Sequence, residues 1–185
     1  DGYRRIPTCT DLPDGIRLGI DTGELPINQG TEIKVKCNAG FEMKGDSVIT
    51  CNRGNDFSGA SCSKCEAGAF SSTESTPCSE CEAGKFSSAG SATCSECEAG
   101  KFSAAGSATC SECDPGKFST AGSATCSECD AGKFSAAGSA TCSECEAGTF
   151  SSEGADSCNP CGIGKEANAE KTGCGKFCLL YTSPS

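Results

Sequence analysis

The chain has no histidine and no tryptophan, and Leu, Ile, Val and Phe are sparse. Without histidine, Ser/His/Asp and Cys/His catalytic sets are impossible. Paired carboxylates occur only as copies on small repeats, with no sign of the deep pocket that acid–base chemistry uses. The chain is therefore read as a non-enzyme with no cofactor. No apolar run approaches the roughly 20 residues needed to cross a bilayer, so no membrane span is expected within it; any anchor would lie outside. A basic face is also missing. The formal net charge is −10, which argues against nucleic acid as a partner. There is no initiator Met and no signal peptide. The opening DGYRRIPTC reads as a fragment, or as a mature product after cleavage. All six Asn residues fail the N-x-S/T pattern. The Ser/Thr-rich tips such as Ser87–Thr93 are candidates for O-glycans on composition alone.

What is abundant is cysteine: 19 in 185 residues. That density marks a disulfide scaffold, used by small units whose cores are too weak to hold alone. Disulfides persist in oxidising compartments, so the expected location is extracellular, as a secreted protein or a cell-surface ectodomain.

From Cys65 onward the sequence repeats every 16 residues, with the unit CEAGKFSSAGSATCSE. Its opening cysteine falls at Cys65, Cys81, Cys97, Cys113, Cys129, Cys145 and Cys161. The second falls at Cys78, Cys94, Cys110, Cys126, Cys142, Cys158 and Cys174. Gly follows three residues after each opening cysteine, from Gly68 to Gly164. Phe comes two residues later in six units: Phe70, Phe86, Phe102, Phe118, Phe134 and Phe150. A second Gly recurs at Gly90, Gly106, Gly122, Gly138 and Gly154.

A unit this short, with two glycines and one large apolar side chain, cannot be a helical repeat. The reading is a short strand at Lys-Phe-Ser, a Gly-containing turn and a return segment ending at the second cysteine. The lone Phe is expected to cover the disulfide. Each hairpin should touch only its neighbours. Pairing the two cysteines inside each unit is the most economical arrangement, and it leaves no repeat cysteine over; sequence alone does not fix connectivity. Such a loop is stabilised by about 3 kcal/mol in the chain-entropy view. The pattern C-x-x-G-x-F-S…G…C-x-x-C, seen at Cys81, Gly84, Phe86, Ser87, Gly90, Cys94 and Cys97, resembles the ephrin-receptor-like cysteine-rich repeat (the GCC2/GCC3 type). Tumour-necrosis-factor-receptor modules look similar but use longer, more varied units.

Residues 1–63 lack the period. TEIKVKC at Thr31–Cys37 alternates as a half-buried strand does, and GDSVITC at Gly45–Cys51 reads as a second strand after a Gly turn. Cys9, Gly30, Val35, Cys37, Gly40, Phe41, Gly45, Ile49, Cys51 and Cys62 resemble a sushi (complement control protein) domain. That resemblance implies the pairs Cys9–Cys51 and Cys37–Cys62, and a ligand-binding or spacer role outside the cell. Phe57 stands where the family usually has Trp, and is expected to cap the small core.

Eighteen cysteines are then assigned, and Cys178 is left unpaired. It falls one residue past the repeat frame, where Phe177 stands. The ending CLLYTSPS resembles translated adaptor sequence, so residues 178–185 are expected to be non-native or disordered. The alternative is a native tail with a free or intermolecular thiol.

Several motifs admit a sharper reading. Pairs such as Cys62/Cys65 and Cys78/Cys81 could frame a Cys₄ zinc site, but the sequence has no His and lacks zinc-knuckle residues, so no metal is assigned. A redox role for C-x-x-C needs an exposed low-pKa thiol in an α/β fold. Lys44-Gly45-Asp46 could serve as an integrin-binding tripeptide, against the turn that the sushi resemblance implies. Acids such as Glu80 and Glu82, with Lys85, recur every 16 residues and could attract Ca²⁺ or a basic ligand, against a plain solvated face.

The expected fold is small, disulfide-rich and mostly β. A sushi-like module (1–63) precedes an elongated array of seven disulfide-stapled hairpin repeats (64–177), a stalk of roughly 70 Å if each unit adds on the order of 10 Å (at most ~3.5 Å per extended residue). The expected function is structural and interactive: a head on a cysteine-rich stalk, binding an extracellular protein or mediating adhesion. A receptor ectodomain whose repeats bind a protein ligand is the second reading, and a zinc-binding protein the third.

Overall fold

The computed structural model of the chain describes residues 8–18, 25–54, 56–73 and 76–176. Among them every regular element is a β-strand, so the fold is a small disulfide-rich β fold. The chain divides into two compact units, Asp1–Cys81 with Phe86–Ser95 and Gly106–Thr109, and Glu82–Lys85 with Glu96–Ala105 and Cys110–Ser185.

The first module contains β1 (Thr8–Cys9), β2 (Ile16–Leu18), β3 (Ile27–Asn28), β4 (Glu32–Cys37), β5 (Phe41–Cys51) and β6 (Phe57–Lys64). β1 pairs with β3, and the other four form an antiparallel sheet in the order β2-β4-β5-β6. Alternation in β4 turns Ile33, Val35 and Cys37 inward while Glu32 and Lys34 face water. Ile33 and Val35 make the core with Cys9, Ile16, Ile27, Ile49, Cys51 and Ala60, and Phe57 packs partly buried against it. Each buried Ile or Val is worth about 2 kcal/mol, too little in total to dispense with the cross-links.

The expected turn at Gly45 is absent as such. β5 begins at Phe41 and runs through Gly45, which has φ 86°. The β5–β6 register shifts between Lys44 and Ile49, so the positive φ serves a bulge inside one long strand.

Each repeat contributes a two-residue antiparallel pair. Lys101 faces Glu112 and Phe102 faces Ser111. The same register recurs at Lys117/Glu128 and Lys133/Glu144. The return strand therefore lies just after the second cysteine, in the two residues of the C-x-x-C link, rather than ending at that cysteine. The physical reason is the next amide along: Cys113 N–H donates to Gly100 O at 2.9 Å, which continues the ladder through the link.

Backbone bonds also join successive repeats. Gly100 N–H donates to Ser119 O, and Gly122 N–H to Cys97 O, both at 2.8 Å. Phe102 and Ser123 form a parallel bridge. Contact goes beyond immediate neighbours. A Cβ placed on Gly68 would overlap the carbonyl oxygen of Gly106, two repeats further on, and Gly84, Gly100 and Gly116 stand in the same relation to Gly122, Gly138 and Gly154. These positions need glycine twice over, for a φ near +80° and for the close approach of a backbone.

Candidate functional site

The most regular chemistry of the chain is its disulfide ladder. In the first module the structure joins Cys9 to Cys51 and Cys37 to Cys62. In the repeats it joins Cys65–Cys78, Cys81–Cys94, Cys97–Cys110 and Cys113–Cys126. Cys129–Cys142, Cys145–Cys158 and Cys161–Cys174 complete the series. Each repeat bond closes a sequence separation of 13 with its Cα atoms 5.6–5.8 Å apart, ordinary spacing for a disulfide. The two cysteines of each C-x-x-C link, such as Cys78 and Cys81, belong to different disulfides. Cys178 and the tail 178–185 lie outside the described residues.

The interior of the repeats is built from an unexpected residue. The opening cysteines from Cys65 to Cys145 are at most 1% exposed, and Ser71, Ser87, Ser103, Ser119, Ser135 and Ser151 at most 3%. The neighbouring Phe side chains are only half-buried. A buried hydroxyl must be hydrogen-bonded, and each of these is. Ser87 Oγ donates to Ala69 O at 3.0 Å. Ser103, Ser119, Ser135 and Ser151 likewise reach the carbonyl 18 residues earlier at 2.8–2.9 Å. Ser71 instead bonds Thr73 O and the Thr76 hydroxyl within its own loop. The C-x-x-G-x-F-S pattern contains this serine, at Ser87, but assigns it no buried role. The signal for it was the recurrence of Ser immediately after Phe in six units.

Five lysines of the repeats form ion pairs with acids. Lys85 and Lys101 pair with Glu82 and Glu98 at 3.3 and 3.4 Å. Lys133 pairs with Asp130, Lys117 with Glu128, and Lys171 with Glu144 at 3.6–3.7 Å. Exposed pairs of this kind are worth little energetically. Their consequence is that each lysine offsets one acid of its ladder. Glu80 lies against Gly106 instead, its carboxylate carbon 3.5 Å from where a Cβ would stand.

Lys44-Gly45-Asp46 sits inside β5, with Lys44 ion-paired to Glu42. The Lys44 ammonium bond, and then the Cys78 N–H bond to Glu42, hold the Glu42 carboxyl below its usual range. An open cleft of about 580 Å³ is lined by Arg17, Asn38, Ala39, Ser72 and Thr73. Among the described residues no group of three or more His, Cys, Asp or Glu is placed to hold a metal ion, and no helix is long and apolar enough to cross a membrane.

Strands, disulfides and repeat register together define a modular disulfide-rich β protein. Residues 9–65 match the family model of the Sushi repeat (SCR repeat), and residues 132–174 match the model described as tyrosine-protein kinase ephrin type A/B receptor-like. Residues 9–65 are thus similar to a sushi repeat, and residues 132–174 to ephrin-receptor-like cysteine-rich repeats. Nothing among the curated proteins matches it. These modules and their disulfides suggest an extracellular location and a protein-interaction role.

Proposed function

We propose that residues 1–63 act as a protein-binding or adhesive head and that residues 64–177 act as the spacer carrying it, outside the cell and without catalysis. The observation that carries this reading is the sameness of the middle repeats. From Ser103 to Ser151 each buried serine makes the same bond, and the middle repeats differ at few positions. A surface copied unit after unit suits spacing, whereas a specific ligand site needs a distinctive face. The first module supplies one, with its own core and with Arg17, Asn38 and Ala39 lining a cleft that Ser72 and Thr73 of the first repeat complete.

The test is binding of the full chain, and of a chain lacking residues 97–128, to an array of extracellular proteins. A spacer function predicts the same bound proteins for both. Loss of all binding in the shortened chain would favour the receptor reading, in which the repeats themselves hold the ligand.

A further inference from the structure

We propose that the Cys37–Cys62 half of the sushi repeat is the first coil of the repeat array, held to it in register by the same backbone bonds that join one repeat to the next. This goes beyond the head-and-spacer reading and stands independently of it.

The sequence of that half already has the frame of a repeat. Cys37-Asn38-Ala39-Gly40 has the C-x-x-G spacing of Cys65-Glu66-Ala67-Gly68, and Cys62 stands three residues before Cys65, as Cys78 does before Cys81. The separation between its paired cysteines is 25, against 13 in the repeats, so this coil carries an insertion of 12 residues. That insertion is the long β5–β6 excursion.

The hydrogen bonds follow once the insertion is allowed for. Gly40 N–H donates to Ser71 O at 2.8 Å, as Gly68 N–H does to Ser87 O at 2.8 Å. Cys65 N–H donates to Gly40 O at 2.9 Å, as Cys81 N–H does to Gly68 O at 2.8 Å. The turn bond from Phe41 N–H to Asn38 O matches that from Ala69 N–H to Glu66 O, both at 3.1 Å. Strand pairing agrees too. Phe41 faces Lys64 and Glu42 faces Ser63, the register in which Lys101 faces Glu112 and Phe102 faces Ser111.

Side chains obey the same frame. Gly40 has φ 84°, and a Cβ there would overlap the carbonyl oxygen of Gly90. That is the next-but-one contact which Gly68 makes with Gly106. Met43 takes the place of the buried serine, with its Sδ 3.9 Å from Cys37 Sγ, where Ser103 Oγ stands 3.3 Å from Cys97 Sγ. The three heavy atoms nearest to a Cβ on Gly40 belong to Gly90 and Ser91, so the steric bar to a side chain at this position of the sushi repeat comes from the array.

Amide hydrogen exchange in the full chain, disulfides intact, tests the proposal. Three chains are compared: wild type, Gly40→Ala, and Gly54→Ala. Gly54 also has a positive φ of 82° but has nothing within 4 Å of a Cβ, so it reports backbone strain alone. Wild type should show Gly40 and Cys65 amides protected to the same order as Gly68 and Cys81. Gly40→Ala should raise exchange at Cys65 and Gly90 by about 10-fold or more through local opening, and Gly54→Ala should leave both unchanged. Gly40 and Cys65 amides exchanging in wild type at the rate of exposed loops would overturn the proposal, as would equal effects of the two substitutions.

Discussion

Gly116 lies against the carbonyl of Gly154, two repeats further along, so closely that a Cβ has no room. Gly148 occupies the same place in its own repeat, has φ 79°, and has nothing within 4 Å of a Cβ. The pair separates two costs that sequence merges. Gly148→Ala pays only left-handed backbone strain, about 1–2 kcal/mol. Gly116→Ala pays that strain and also displaces a backbone, adding about 1–3 kcal/mol of overpacking. Hydrogen exchange should rise more at the Cys129 and Gly154 amides in Gly116→Ala than at the Cys161 amide, which donates to Gly148 O, in Gly148→Ala. Equal rises would mean that the next-but-one contact carries no weight.

The buried serine gives a second test. Ser119 Oγ donates to Lys101 O at 2.9 Å from a site 3% exposed. Replacing it with Ala removes that bond and leaves the Lys101 carbonyl one donor short, a cost of about 1 kcal/mol. Ser127 is exposed, and Ser127→Ala should stay within about 0.5 kcal/mol of wild type. Thermal unfolding of the disulfide-intact chain compares them, and a neutral Ser119→Ala would show that the hydroxyl is replaceable there.

These residues also show what the sequence made legible. The 16-residue period and the β character follow from spacing and alternation, because a repeat length and a two-residue pattern are written directly in the order of residues; the class of each module comes from its resemblance to a known family. The number of repeats that one contact spans is not written there. Gly116 recurs with the period whether it touches the next repeat or the one after, and only the path of the backbone decides. The serine was obscured for another reason. Burial is ordinarily inferred from apolarity, and Phe118 beside it is the apolar residue, yet the chain buries the small hydroxyl that can reach a carbonyl and leaves the ring half-covered. Gly45 was misplaced because a positive φ serves a bulge as readily as a turn.

The cross-links can be checked by mass. Each disulfide lowers the intact mass by two hydrogens. All eighteen cysteines of residues 8–176 are paired in the structure. Alkylating the denatured, unreduced chain should therefore add one label, at Cys178. A zinc-held arrangement would instead leave several thiols open to the label after chelation.

Glu42 gives the chain an acid-sensitive contact. It accepts from Lys44 and from the Cys78 N–H, and through Cys78 it ties β5 to the first repeat's disulfide. Those bonds favour the ionised carboxylate, so its pKa in the folded chain lies below the ordinary value of 4.5. Between that ordinary value and the lower folded one, the unfolded chain binds a proton that the folded chain does not, and stability falls as pH drops. The contribution is complete above the ordinary value and gone below the folded pKa. Glu42→Gln keeps the shape and removes the titration. Denaturation midpoints followed from pH 7 to pH 3 should fall more steeply for wild type than for the variant, with the difference opening as pH drops through about 4.5. Because the group is accessible to water, salt should narrow that difference. Parallel curves for the two chains would remove Glu42 as the source of acid sensitivity.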